Sequence, residues 1–110
     1  MTSDEDVGAL AYEVTLELDP ALTGAVLLEL RHHHIPAILA TGCSRAIRLE
    51  RVDDGRIRTR YEAARPADLE RYLAEHTAHF RADFMARFPK GVRATREVWH
   101  SVAEWRSESA

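Results

Sequence analysis

The sequence predicts an α+β domain of order β-α-β-β-α-β, with four antiparallel strands and two helices on one face of their sheet. Three observations lead there. Residues 9–18 and 56–63 alternate apolar and polar side chains with the period of two of a half-buried strand. Segments opened by Pro20 and Pro66 carry apolar residues at helical spacing. Asp53-Asp54-Gly55 separates the two middle strands by a tight hairpin signal. That order is the split βαβ, or ferredoxin-like, arrangement.

Each element has its own warrant. In the first strand Tyr12, Val14, Leu16 and Leu18 share one parity and Glu13, Thr15 and Glu17 the other. Asp19 is placed to cap a helix with Pro20 at its first position, and Leu22, Val26, Leu27 and Leu30 form its apolar stripe. Pro36 lacks an N–H and disfavours helical geometry at Ile35, so it is expected to end or kink that helix. Thr41-Gly42 then stops the chain ahead of a second strand over 44–52. Asp-Gly in the following turn tolerates the positive φ such hairpins use. Pro66 opens one long second helix whose inward face holds Leu69, Tyr72, Leu73, His76, Phe80, Phe84 and Phe88; Pro89-Lys90-Gly91 ends it. From Val92 to about Val102 a fourth strand is expected, with Arg96 and His100 on the same parity as Val92, Ala94 and Val98. That mixture leaves its buried face open, and a bulge would reconcile the two patterns.

Composition narrows the function classes. At 110 residues, 45% apolar and 30% charged, the chain is one globular domain. The expected limits are a disordered acidic tail at 1–8, the domain over 9–106 and a frayed end at 107–110. A net charge of -3 with acids and bases interspersed argues against a nucleic-acid partner. No apolar run approaches the roughly 20 residues of a membrane span. The acidic start is unlike a signal peptide, and one cysteine forms no internal disulfide, so the cytoplasm is the expected location.

Chemistry-bearing residues gather around the joint between helix one and strand two. His32-His33-His34 holds half of the six histidines, and Cys43 is the sole cysteine. Successive helical residues stand about 100° apart, so the run does not bind one metal by itself. One imidazole could instead meet His76 or His79 of helix two, or Glu75 and His79 could pair. Against this stands the plainer role of satisfying polar groups at helix ends. Cys43 reads as a small buried side chain unless Arg45 or the histidines activate it. Arg81, Arg87 and Lys90 suggest either an anion site or a solvated helix terminus. The candidate ligand pocket is therefore His33, His34, Cys43, Tyr72, His76 and His79, with no catalytic residue, metal or cofactor assigned. No phosphate loop, serine triad or zinc-protease motif is present. On the polar sheet face, Glu13 and Glu17 would lie near Arg58 and Arg60, each opposite-charge pair worth about 0.2–1 kcal/mol. Such a face suits contact with the same face of a second subunit.

Tyr12-Glu13-Val14-Thr15-Leu16-Glu17-Leu18-Asp19-Pro20, His33-His34-Ile35-Pro36 and Ala40-Thr41-Gly42-Cys43 resemble the uncharacterised bacterial family known as domain of unknown function 4286. Asp68-Leu69-Glu70-Arg71-Tyr72-Leu73, His76, Arg81 and Arg87-Phe88-Pro89 extend the likeness, which runs from Ala11 to Val98. The resemblance implies similarity in fold to dimeric α+β-barrel proteins, a group including antibiotic-biosynthesis monooxygenases and stress-responsive barrel proteins. It implies a homodimer and no established activity. Two functions are expected on this basis: a homodimeric small-ligand-binding or accessory protein without catalysis, or a barrel enzyme such as a cofactor-independent monooxygenase or a haem-binding or haem-degrading protein. The histidines of helix two favour the haem form by analogy; the absence of Asn near strand one speaks against it.

Overall fold

The computed structural model describes residues 9–108, so the acidic tail and the last two residues of the expected frayed end lie outside it. Four strands form one antiparallel sheet: β1 (Leu10–Leu18), β2 (Ala46–Asp53), β3 (Arg56–Ala63) and β4 (Val92–His100), in the order β2-β3-β1-β4. The helical segments are α1 (Thr23–Glu29), α2 (Ile35–Leu39), α3 (Pro66–Glu75) and α4 (Thr77–Arg87). This is the ferredoxin-like α+β fold expected from the order of elements.

The first crossover begins as its sequence implies. Asp19 Oδ1 accepts from Ala21 N at 3.0 Å, capping a 3-10 turn over Pro20–Leu22 that leads into α1. Its continuation corrects the expectation for Pro36. The chain stays helical from Thr23 to Leu39, because a π turn over Leu30–His34 joins α1 to α2. Ile35 N donates to Leu30 O, five residues back, and Ile35 keeps helical angles (φ −66°, ψ −46°) despite preceding proline. Pro36 falls in the first turn of α2, directly after the π turn.

The second helix is also corrected, since it is two helices rather than one. His76, at φ −122° and ψ −33°, breaks the run between α3 and α4. The hairpin forms where expected, yet Gly55 is not in the left-handed region; Gly55 N donates to Asp53 Oδ1 at 2.8 Å instead. A positive φ is found at Gly42 and Gly91. The irregularity proposed for the last strand lies in β2, between Arg51 and Asp53, whereas β4 pairs with β1 without a shift. That register settles the face of β4: Val92, Ala94, Arg96 and Val98 stand opposite Leu18, Leu16, Val14 and Tyr12.

Burial divides the helix-side core into two clusters. One joins Leu10, Tyr12, Ile38, Tyr61, Leu69 and Tyr72; the other joins Leu16, Leu18, Val26, Leu30, Ile57 and Phe84. Half-buried Val14 touches both. The opposite sheet face is polar and internally matched. Glu13, only 9% exposed, meets Arg60 Nη1 at 2.9 Å and Arg58 Nη1 at 3.6 Å, while Glu17 pairs with Arg93. Arg58 also donates to Glu50 Oε1 at 2.8 Å, which raises its already high pKa. Trp99 stands on this face, beside Ala11 in the register, and is half exposed.

Candidate functional site

Where the two core clusters part, a partly open cavity lies between the sheet and the helices. The sheet contributes Tyr12, Val14, Leu16, Thr59, Tyr61 and Arg96; the helices contribute His34, Tyr72, Thr77, Phe80, Arg81 and Phe84. Its free space is about 70 Å³, against about 150 Å³ for a closed apolar cavity that holds benzene. The walls are largely aromatic. Tyr72 stacks on Phe80 at 6.3 Å and 13°, and Tyr61 on Tyr72 at 6.2 Å and 21°.

His34 comes from the end of the π turn, and its ring stands edge-on to Phe80 (5.8 Å) and Phe84 (5.4 Å). Its Nδ1 is buried with no hydrogen-bond partner among the described residues. Burial lowers its pKa below the usual value near 6.5, outweighing the upward pull of Asp83 and Glu29, and Arg87 adds to the lowering. The ring is therefore neutral at pH 7. Burial likewise raises Tyr72 to about 12 and carries Tyr61 higher still, so both phenols stay protonated and able to donate.

The cavity gathers two of the six residues singled out from sequence, His34 and Tyr72. His33 is exposed and faces Glu29, with Nδ1 at 3.4 Å from Oε1. His76 packs on the rings of Tyr72 and Phe80 outside the cavity, and exposed His79 meets the edge of Phe80 at 5.3 Å. Cys43 is buried in the first core cluster, with Arg71 Nε donating to its Sγ at 3.3 Å. Among the described residues, no three His, Cys, Asp or Glu side chains stand together as a metal site. Arg87 is engaged with Glu29 (3.3 Å) and Asp83 (3.4 Å), so of the basic residues near the end of the last helix only Arg81 reaches the cavity. Thr59 and Arg96 were not singled out as site residues. The signal for Arg96 was its parity with Val92, Ala94 and Val98.

Sheet order, helix placement and register together define a ferredoxin-like α+β protein. The chain belongs to the family described as Domain of unknown function (DUF4286), whose model matches residues 9–102. Three solved structures share the fold. A protein of unknown function from Nitrosomonas europaea, NE2512, is 18% identical with a TM-score of 0.70, covering 93% of this chain and 97% of that one. SnoaB, a cofactor-independent oxygenase from Streptomyces nogalater, is 12% identical with a TM-score of 0.60, covering 84% and 91%. A dimeric ferredoxin-like protein from an uncultured marine organism is 16% identical with a TM-score of 0.63, covering 88% and 98%. No curated protein matches the chain. No helix among the described residues is long and apolar enough to cross a membrane.

Proposed function

We propose that the protein is a homodimeric small-molecule-binding protein whose ligand occupies the cavity between sheet and helices. The observation that carries this reading is the buried, unpartnered Nδ1 of His34 beside a recess whose walls are aromatic and aliphatic with a few polar groups. A buried polar atom left without a partner costs about 1–3 kcal/mol, and a ligand group that bonds it recovers part of that cost. Apolar walls with a few convergent polar groups are the usual make-up of a small-molecule site. Of the residues chosen from sequence, His34 and Tyr72 touch the ligand in this reading; His76 and His79 support its aromatic wall, and His33 and Cys43 lie outside.

The dimer forms through the polar sheet face. Support comes from the half-exposed Trp99 there, the charge-matched strands, and the dimeric ferredoxin-like protein of the same fold. The reading includes neither nucleic acid nor membrane as partner. It includes a bacterial cytoplasmic setting, where a lone thiol stays reduced. Native mass spectrometry of the protein as purified tests it. A dimer with an adduct lost on His34→Leu is the expected result; a monomer removes the dimer, and entry of no small aromatic probe removes the cavity reading.

A second reading is supported by the likeness to a cofactor-independent oxygenase. In it, neutral His34 takes the proton of a bound phenol, dioxygen from solution adds to a ring carbon of the phenolate, and the resulting hydroperoxide loses water to leave a quinone. Oxygen uptake with a phenolic probe, abolished by His34→Leu, separates this reading from simple binding.

A further inference from the structure

Arg96 occupies an anomalous place. It lies on the helix-side face of β4, opposite Val14, in a row otherwise filled by Val92, Ala94 and Val98. Arg96 is exposed, on an edge strand, so its guanidinium is available at the mouth of the cavity. Arg81, one turn into α4, reaches the same cavity from the other wall. Several carboxylates of the described residues are committed elsewhere. Glu13 serves Arg58 and Arg60, Glu17 serves Arg93, and Glu29 and Asp83 serve Arg87. Neither Arg81 nor Arg96 has such a partner. Two cations without a carboxylate partner among the described residues thus line a cavity whose remaining walls are aromatic rings, aliphatic side chains and the hydroxyls of Tyr12, Thr59, Tyr61, Tyr72 and Thr77.

Resting on the cavity reading above, we infer that the ligand is a single-ring aromatic carboxylate, its ring among Tyr72, Phe80 and His34 and its acid group held by Arg81 and Arg96. The guanidinium fork matches a planar carboxylate in geometry and charge. Tyr61 and Tyr72 act beside it as neutral donors. The recess is partly open and has about 70 Å³ of free space, which limits the apolar part to no more than one ring. A phosphate-sized polyanion fits less well, because it would leave the rings of Phe80 and Phe84 without an apolar partner.

The test uses the full-length protein, with benzoate and its neutral isostere benzamide as probes and binding read by 1H–15N NMR titration. Benzoate is expected to shift amides of Tyr61, Phe80 and Arg96 and to bind about tenfold more tightly than benzamide, the scale of one charge-assisted contact. Arg96→Gln is expected to weaken benzoate binding several-fold more than benzamide binding and so to reduce that preference. Arg81→Gln, on the opposite wall, provides a second reading should the strand variant fold poorly. Benzamide binding as tightly as benzoate overturns the anionic ligand class and leaves the cavity reading standing. If neither benzoate, benzamide nor toluene shifts these amides, both the inference and the cavity reading fall.

Discussion

Replacing Phe84 by alanine tests whether the cavity has rigid walls or closes when a wall is removed. Phe84 is 8% exposed and belongs to the second core cluster, and its ring lies against those of His34 (5.4 Å) and Phe88 (5.2 Å). Truncation loses the transfer free energy of a buried ring and leaves a void, together about 3–5 kcal/mol for phenylalanine in a packed core. In a domain of this size that is about 12–20 °C of melting temperature. Guanidinium denaturation gives the free energy and calorimetry the temperature. Met85 provides the control: it also lines the cavity but is 45% exposed, so Met85→Ala is expected to cost less than about 1 kcal/mol. The enlarged cavity should then bind toluene, and toluene at ten times its dissociation constant restores about 1.4 kcal/mol. A Phe84→Ala loss below about 1 kcal/mol, with no recovery on adding toluene, would mean that the surrounding rings collapse into the space and that no preformed cavity exists.

Other perturbations address single features. His34 has a depressed pKa, so between its folded value and 6.5 the unfolded chain binds more protons than the native one, and stability falls as pH drops through that window. Asp83, Glu29 and Arg87 are the charged groups that face it. His34→Leu is expected to flatten that loss in urea melts at pH 7.5 and 5.5, whereas the exposed His33→Leu leaves it in place; equal slopes for parent and His34→Leu refute the assignment. Glu13→Gln is expected to cost about 1–2 kcal/mol, between the limits for surface and buried ion pairs, because the carboxylate is covered and its two arginines are only partly so. No change in the denaturation midpoint would show that solvent screens the pair. Gly91→Ala combines a φ of +80° with a Cβ that would approach Leu22 Cδ1 to 2.8 Å, and is expected to destabilise by more than about 1 kcal/mol. A neutral result would mean that the turn after α4 relaxes freely.

Much of this fold was legible because local chemistry and tertiary role coincide. The alternation of Tyr12 to Leu18, the capping Asp19 and the Asp53-Asp54-Gly55 turn each act within a few residues, and each forms in the structure. The misread features depend on what lies further off. Pro36 reads as a stop because proline rules describe an α-helix, and the π turn before it changes the rule. The parity of Arg96 was visible, yet its meaning was not, since only the register with β1 turns that face toward the cavity. Among the histidines, sequence offered five near the two helices, all chemically equivalent. Only packing against Phe80 and Phe84 distinguishes His34 from its neighbours.

The inward residues of the first crossover, Val26, Leu30, His34 and Ile38, recur every four positions. On an ideal α-helix twelve residues overrun three turns by about 120°, so a stripe so spaced would wind from the sheet toward solvent. The π turn takes up nearly one extra residue and brings Ile38 back beneath Val26. The break at His76 offers the same phase correction to Tyr72, Phe80 and Phe84 across α3 and α4. The residue count between Val26 and Ile38 thus works like a vernier, selecting which imidazole of the run meets the cavity. A one-residue deletion within 31–33 is expected to turn the π turn into plain α-helix while keeping His34 and Ile38 in phase with Val26, whereas a one-residue insertion there is expected to rotate both away by about 100°, so chain length here is as much a determinant of the site as residue identity.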